Sequence, residues 1–543
     1  AAVVFLFALS ELLESFSVAR ARRAIESLME LSPETALVER DGDFVETGVE
    51  EVAAGETVRV RSGARVPLDG EVISCVSAID QAPITGESLP VEKQAGDPVY
   101  AGTINGEGSL EVRVTKVAGD STLAKIIRLV DEAQSQKAPT QRFVDAFSRY
   151  YTPAVMILAL LVFLAPGLVT GNWHDWFYRS LVLLVIACPC ALVISTPVSI
   201  VSGLTAMARR GVLIKGGAWL EAVGKLRAVA VDKTGTITEG KPRVTEVTAL
   251  DGGDTEEVVR VAAAIDAHSD HPLARAVVDY AREKGIDYGS AKSYRSQSGR
   301  GADGVIDGHD YFVGNHHYVE ESGVCSEAVE ARLREIESQG LSVVAVGHQA
   351  HDDCEGEVLG VIAVGDTVRP EARASVAALH DAGIEAVIML SGDNQTTVEA
   401  IARKVGIDDA SGDLLPDHKI ARVRSLLEKY KNVGMIGDGV NDAPAMAAAS
   451  VGIAMGTAGT DTAIETADIS LMTDDLSKVA EAVKLGRRTL GVIQFNIALA
   501  ILIKAVFLAL ALFGHTSLWL AILADTGATI VVILNALRLL KTE

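Results

Sequence analysis

Hydrophobic positions along this chain fall into two regimes. Four stretches stay apolar for the length of a membrane helix: "TPAVMILALLVFLAPGLV" (152–169), "SLVLLVIACPCALVISTPVSIVSGL" (180–204), "FNIALAILIKAVFLALALF" (495–513) and "LWLAILADTGATIVVILNAL" (518–537). Such a helix needs about 20 apolar residues, so each stretch predicts one. The opening run, about 1–17, reads as the inner end of a fifth. No charged segment precedes it and no cleavage site follows, which predicts a chain that starts inside a helix rather than a signal peptide. Two long polar segments, about 18–140 and 210–490, separate these runs. Arg20, Arg22 and Arg23 follow the first run, Arg209, Arg210 and Lys215 the third, and Arg538 and Lys541 the last. By the positive-inside rule the long segments face the cytosol.

The polar segments differ in pattern. The first carries short Val/Ile runs punctuated by glycine, as in "ETVRVRSGARVPLDGEVIS", and predicts a small β-domain. The second repeats an apolar strand followed by a Gly/Asp turn, in "LRAVAVDKTGT", "AVIMLSGDN" and "NVGMIGDGVND". That pattern predicts a parallel α/β sheet, with residues 243–360 as a separate inserted unit. Ligands of such sheets sit at the carboxyl ends of the strands, where Asp232, Asp393 and Asp438 fall.

Composition sharpens the division. Hydrophobic residues make up 49% of the 543, yet the formal net charge is −23, so apolar and acidic parts are segregated. The acidity argues against a nucleic-acid binder, which would present a basic face. Five cysteines, Cys75, Cys188, Cys190, Cys325 and Cys354, are too few and odd in number for a disulfide framework and predict a reducing compartment for the soluble parts.

The strand-end acids suggest phosphoryl chemistry. Asp232 opens "DKTGT", and a carboxylate there can attack phosphorus to give an aspartyl-phosphate. Phosphoryl transfer chiefly needs its charge neutralised. Asp438 and Asp442 of "GDGVNDAP" offer oxygen ligands of the kind Mg²⁺ takes, and Lys419 of "LLPDHK" offers a cation for the phosphoryl oxygens. A lone Asp after a strand is ordinarily a turn or helix cap; two matching strand ends downstream favour the chemical reading.

"TGES" (85–88), "DKTGT" and "GDGVNDAP", in this order, resemble the P-type ATPases, ion pumps that cycle through an aspartyl-phosphate. "CPC" inside a membrane helix and "SDHP" in the inserted unit resemble their heavy-metal-transporting branch. The resemblance implies a multidomain fold: a helical membrane domain, a β-rich actuator, and a haloacid-dehalogenase-like α/β phosphorylation domain with an inserted α+β nucleotide-binding domain. On this sequence the parts are a partial membrane helix and extension at 1–34, the actuator at 35–125, and membrane helices at 126–224. The phosphorylation domain takes 225–242 and 361–475, the nucleotide-binding domain 243–360, and the last two membrane helices 476–543. The family's eight helices imply others upstream of residue 1.

By that resemblance Asp232 is phosphorylated by ATP, and Mg²⁺ is held by Asp232, Asp438 and the Thr234 carbonyl. Asp442 and Lys419 organise the phosphate site with Ser391 and Thr236 nearby, and Glu87 of "TGES" positions the water that hydrolyses the phosphoenzyme. Asp266, His271, Gly299 and Gly301 match the adenine-binding pattern, with Asp266 standing where the family commonly has Glu. A monomer in lipid of the cell membrane is implied, with no nucleic-acid partner.

Within "LVIACPCALVIS", residues two apart on a regular helix sit about 200° around its axis, so Cys188 and Cys190 would diverge. Pro189 removes a backbone hydrogen bond and clashes with the preceding turn; the distortion can bring both thiols to one site. Thiolates suit Zn²⁺, Cd²⁺, Pb²⁺ or Cu⁺. Lys504 and Asp525 are charges inside membrane runs, which mark functional sites by default. Asp525 as an oxygen ligand favours a divalent ion over Cu⁺, and Lys504 can pair with it as a built-in counter-ion. Lys504 and "ADTGAT" resemble the zinc/cadmium/lead subgroup. Glu11 matches the family's exit-side carboxylate. The expected activity is ATP-driven export of Zn²⁺, Cd²⁺ or Pb²⁺. The alternatives are a Cu⁺ exporter, a membrane-anchored phosphatase on the same scaffold, and a metal sensor without turnover.

Overall fold

The computed structural model describes Leu12 and residues 33–541, apart from 41, 83–89, 126, 129–137, 251, 270, 298–299, 340, 350–355, 439–441, 457–465 and 513–516. Glu11 in the opening apolar run, Glu87 in "TGES", and Gly299 lie outside the described residues. The chain divides into two compact units, Ala1–Leu226 with Gly456–Glu543, and Arg227–Met455.

The first unit begins with nine short strands: β1 (Thr35–Arg40), β2 (Asp43–Gly48), β3 (Thr57–Val60), β4 (Gly70–Ser74), β5 (Ser77–Asp80), β6 (Val91–Lys93), β7 (Pro98–Val99), β8 (Ile104–Asn105) and β9 (Leu110–Val114). They build a six-stranded sheet in the order β2-β1-β3-β9-β4-β7 and a three-stranded sheet, β6-β5-β8. Side chains alternate across a strand, and β9 shows it: Leu110, Val112 and Val114 are buried while Glu111 and Arg113 are not. Val38, Val58, Leu68, Val72 and Ile79 complete this core. Inside it Asp69, 3% exposed, accepts hydrogen bonds from the Ala101 amide (2.9 Å), the Thr122 amide (2.7 Å) and the Thr122 hydroxyl (2.6 Å). One carboxylate thus ties three separate stretches of chain.

Four helical spans among the described residues are long and apolar enough to cross a membrane: Pro139–Thr170, Trp173–Ala208, Ser477–Ala511 and Leu518–Lys541. The first is α1 (Pro139–Thr170), and much of its surface is exposed leucine and isoleucine, as a helix facing lipid requires. The second breaks into α2 (Trp173–Ala187) and α3 (Cys190–Ala208). Small and hydroxyl residues of α3, among them Ser195, Thr196, Ser199 and Ser202, are buried, which lets helix backbones approach closely. A short helix α4 (Gly217–Gly224) follows the antiparallel strand β10 (Val212–Ile214), whose partner is β22 (Ile469–Leu471). A side chain on Gly224 would sit 2.6 Å from the Gly486 carbonyl carbon, so a glycine is required where these backbones touch.

The second unit is a parallel sheet with an antiparallel one inserted. The parallel strands are β11 (Ala228–Asp232), β18 (Ala386–Leu390), β19 (Asp409–Ser411), β20 (Val433–Gly437) and β21 (Val451–Ala454), in the order β21-β20-β11-β18-β19. Every residue of β11, β18 and β20 is buried, as expected of parallel strands covered on both faces. The inserted sheet runs β12-β17-β16-β15-β14-β13, all antiparallel. Its strands are β12 (Thr238–Ala249), β13 (Lys292–Gln297), β14 (Gly301–Ile306), β15 (His309–Gly314), β16 (Ser342–His348) and β17 (Glu357–Val368). Helices α5 (Thr255–Asp266) and α6 (Pro272–Lys284) share one core with it, through Val261, Ile265, Val277, Val346 and Ile362. Helices α7 (His316–Glu321) and α8 (Glu327–Ser338) share another, through Phe312, Tyr318, Leu333 and Val361.

Asp69→Ala leaves the Thr122 and Ala101 donors buried without an acceptor. The expected cost is about 3 kcal/mol, read as a roughly hundredfold loss of hydrogen-exchange protection at the amides of β4 and β9. Unchanged protection there would show that Asp69 does not hold this domain together.

Candidate catalytic and metal sites

At the carboxyl end of the parallel sheet, the last residue of β11 is Asp232, 7% exposed. The chain then turns through Lys233–Ile237 with Gly235 at φ +76°, a left-handed conformation that favours glycine. The turn brings the Thr234 amide back to donate to Asp232 Oδ2 at 2.9 Å. Lys419, near the start of α9 (Pro416–Tyr430), reaches the same point, with Nζ 2.7 Å from Asp232 Oδ1 and 2.8 Å from Asp442 Oδ1. Asp442 is 2% exposed, and a side chain on Gly437 would strike its carboxylate 2.6 Å away. Asp438 follows β20 directly. Ser391 follows β18, where its Oγ accepts from the Asp393 amide at 3.1 Å.

Two carboxylates therefore share one lysine in a buried place. Burial pushes the Asp232 carboxyl up, Asp442 pushes it further, and Lys419 opposes both, leaving it at about 6. The Lys419 ammonium loses stability by burial, but Asp232 and Asp442 outweigh that and hold it above the ordinary lysine value. At neutral pH Asp232 is thus mostly an anion held by a cation, with its oxygens pinned for attack on an electrophile. The family implies Mg²⁺ here, and the residues fit. The donors are hard carboxylate and carbonyl oxygens, Asp232 and Asp442 share one lysine while Asp438 adds a third negative charge nearby, and the Thr236 hydroxyl is buried with no partner among the described residues.

Sequence reasoning missed Lys233, whose Nζ lies 2.6 Å from Asp393 Oδ2. Both residues stand beside strand ends already read as functional, and that adjacency was the available signal. It also missed Arg369, whose guanidinium donates to the Gly235 carbonyl at 3.3 Å and supports the turn.

In the inserted sheet, Asp266 closes α5 and is 6% exposed. His271 caps α6, its Nδ1 accepting from the Leu273 amide at 3.3 Å. Gly301 opens β14, where any side chain would collide with the Val313 carbonyl. Burial alone pushes the Asp266 carboxyl up to about 7.

In the membrane helices, Val185 has no Pro189 N–H to accept from, and takes the Cys188 amide at 3.3 Å instead. The helix restarts at Cys190. The break brings Cys188, Cys190 and Asp525 to one point, with ligand atoms within 4.8 Å of one another. Asp525 lies on α11 (Leu518–Leu537). The two sulfurs are joined as a disulfide, where the sequence predicts a thiolate pair. The kink that can aim two sulfurs at one ion also aims them at each other, so the thiolate reading describes the reduced form. Lys504, on α10 (Ser477–Leu512), lies 3.1 Å from Asp525 Oδ1 and donates to the Ile186 carbonyl at 3.2 Å and to the Cys188 carbonyl. A cavity of about 270 Å³ opens against Pro189, Leu192, Lys504 and Tyr151. Deeper along the same helices Asn496 is fully buried, donating to the Val532 carbonyl (3.0 Å) and accepting from Asn535 (2.8 Å).

A strand-end carboxylate pinned by a lysine, a β-rich domain and a broken membrane helix with a thiol pair define an ion-pump architecture. Comparison with known proteins agrees. A haloacid dehalogenase-like hydrolase family matches residues 226–450, and the P-type ATPase actuator domain matches residues 30–131. A cadmium-transporting ATPase of Staphylococcus aureus is 47% identical over all of this chain and 74% of its own length. The zinc/cadmium/lead-transporting P-type ATPase of Escherichia coli K12 is 43% identical over all of this chain and 72% of its own. The crystal structure of a zinc-transporting PIB-type ATPase in its E2.Pi state superposes with a TM-score of 0.63 at 41% identity, covering 99% of this chain and 86% of that one. The chain belongs to the heavy-metal-transporting P-type ATPases. It is an integral membrane protein with large cytosolic domains.

The raised Asp266 carboxyl has a consequence for stability. Its folded-state value lies above the unfolded one, so the folded state keeps a proton that the unfolded chain loses. Stability from this group is full below about pH 4 and is lost as pH rises toward 7. Asp266→Asn should abolish that slope and stabilise α5 at pH 7 by about 2–4 kcal/mol. Amide protection factors of α5, corrected for intrinsic exchange, check it; an equal slope in both proteins would refute it.

Proposed function

We propose that this ATPase exports Zn²⁺, Cd²⁺ and Pb²⁺ from the cytosol across the cell membrane, working as a monomer in lipid with no nucleic-acid partner. The observation that carries the reading is the convergence of Cys188, Cys190 and Asp525. Two sulfurs and a carboxylate suit a divalent ion of intermediate softness, and the names of the similar pumps from S. aureus and E. coli agree.

An Asp232 oxygen attacks the γ-phosphorus of ATP; the Oδ–P bond forms, the bond to the ADP oxygen breaks, and ADP leaves. Lys419 and the Thr234 amide hold the attacking carboxylate, and Lys419 offsets charge on the phosphoryl oxygens. Asp232, Asp438 and the Thr234 carbonyl would hold Mg²⁺, which screens charge on the transferring phosphate when bound. Thr236 and Ser391 line the phosphate position. Glu87 orients the water whose oxygen displaces the aspartate and regenerates the carboxylate. Asp266, His271, Gly299 and Gly301 cradle the adenine. In the membrane, Lys504 takes the metal's place beside Asp525 once the ion has left, and its charge opposes the ion's return. Glu11 receives the departing metal.

The test is ATP hydrolysis by the reduced protein in detergent, with Zn²⁺, Cd²⁺, Pb²⁺ and Cu⁺ compared. The divalent ions should stimulate and Cu⁺ should not, with stimulation falling at least tenfold in Asp525→Ala. Asp232→Asn should form no hydroxylamine-labile phosphoenzyme, and Glu87→Gln should accumulate it. Stimulation by Cu⁺ that ignores Asp525 would move the chain to the copper branch. A wild-type protein that binds metal without forming phosphoenzyme would be a sensor.

A further inference from the structure

A second group of metal-ligating side chains lies in the inserted domain. Helix α7 begins directly after β15, with the Asn315 side chain capping it at the Tyr318 amide (3.0 Å). His316 is its first residue and Glu320 lies one turn on, on the same face. Helix α8 supplies Glu330, and Cys325 sits in the connection between the two helices. His316 Nε2 is 2.7 Å from Glu330 Oε2 and 3.9 Å from Glu320 Oε1, and the ligand atoms of these three lie within 4.8 Å of one another. The free thiol of Cys325 is 3.5 Å from the same Glu330 oxygen.

We propose that His316, Glu320, Glu330 and Cys325 form a second, cytosolic site for a Zn²⁺-class divalent ion, separate from the membrane site and independent of the export reading. Three observations carry it. First, the imidazole is held from behind: Nδ1 lies 3.1 Å from both oxygens of Glu337. A carboxylate on one ring nitrogen fixes the tautomer and aims the other nitrogen outward, the arrangement that orients metal-bound histidines. Second, the spacing fits. Zinc–ligand bonds of about 2.0–2.3 Å give tetrahedral edges of roughly 3.3–3.7 Å. His316 Nε2 lies 2.7 and 3.9 Å from the two glutamates, straddling that range, so shifts below about 1 Å in flexible side chains would close the three-residue site, and the Cys325 thiol, 3.5 Å from Glu330, would swing in as the fourth ligand. Third, the donor set of one nitrogen, one sulfur and two carboxylates suits Zn²⁺ and not Mg²⁺ or Ca²⁺.

The competing account is a surface ion-pair cluster around a protonated His316. Burial disfavours that charge, while hydrogen bonds to Glu330 and Glu337 outweigh it and keep His316 above its ordinary value. Arg334 Nε lies 2.5 Å from the other Glu330 oxygen, and His317 lies 3.8 Å from Glu320. These contacts satisfy the acids in part. They do not require a thiol beside Glu330 or a second carboxylate behind the ring. Side chains of His316, Glu330 and Glu337 are about one-fifth exposed (20%, 22% and 16%), so an ion would enter from one side with its ligands packed against α8.

The test uses the full chain, reduced and in detergent, with Cys188→Ser, Cys190→Ser and Asp525→Ala removing the membrane site. That background keeps failure of this proposal separate from failure of the export reading. Titrated with Co²⁺, it should bind one equivalent with a thiolate-to-Co²⁺ absorption band. Cys325→Ser should abolish the band. His316→Gln should weaken Co²⁺ at least a hundredfold. Glu320→Gln, a conservative change at a half-exposed position, should weaken it about tenfold. No binding in the background protein, a band that survives Cys325→Ser, or an affinity indifferent to both His316→Gln and Glu320→Gln would each overturn the site.

Discussion

The missing N–H of Pro189 sets the design of the membrane domain. A helix interrupted at membrane depth leaves carbonyls without donors, and lipid cannot supply them. Here Val185 accepts from Cys188 instead of from residue 189, while Ile186 and Cys188 accept from Lys504. The lysine is therefore a structural part of the break as well as the partner of Asp525. Its ammonium meets three oxygens, the Ile186 and Cys188 carbonyls and the Asp525 carboxylate. Remove Pro189 and the two sulfurs diverge around a regular helix; remove Lys504 and the broken backbone loses its donor. The thiol pair, the acid and the lysine are one arrangement.

A similar constraint governs the carboxylates at the strand ends. Parallel strands with every residue buried deliver their ends to one edge of the sheet. Asp232 and Asp442 meet there at a cost in both desolvation and mutual repulsion. A single lysine lowers that cost without removing it, and Asp232 stays above the ordinary carboxylate range. The residual excess of negative charge is what an incoming cation relieves. Gly235 and Gly437 give the backbone the turn and the clearance that let the carboxylates approach.

Much of this was legible in the sequence because the signals were strong and local. Continuous apolar runs marked both the membrane helices and the buried strands, and the strand-end acids followed at once. The Lys504–Asp525 pair was legible because charge in a membrane run is costly enough to demand a partner. What stayed hidden depended on distance in sequence. Lys233 and Asp393 follow neighbouring strands, β11 and β18, but lie far apart in sequence, and no spacing rule joins them. Asn496 and Asn535 are polar residues in apolar runs, yet nothing in the sequence says that they face each other. The Cys188–Cys190 bond was missed for another reason: counting cysteines tests for a framework of distant pairs, and this pair forms within one kink. Asp266 read as a nucleotide contact, but its burial is a tertiary property that no motif encodes.

Both sites place a tethered lysine against carboxylate, the position a bound cation would otherwise fill. Lys419 bridges Asp232 and Asp442, and Lys504 meets Asp525 beside the sulfurs. A rigid pocket of acids alone would hold a divalent ion too tightly to release it, and would repel itself when empty. A lysine on a helix changes both terms. It stabilises the empty site, so the fold does not depend on the ion, and it competes with the ion, so affinity stays finite. The charge must stay close enough to fill the gap and flexible enough to withdraw. A four-carbon stem with a compact ammonium meets that requirement, whereas the planar fork of arginine would lock a carboxylate in one geometry. A lysine at both positions suits a site that is to fill and empty, a demand that positive charge alone would not make.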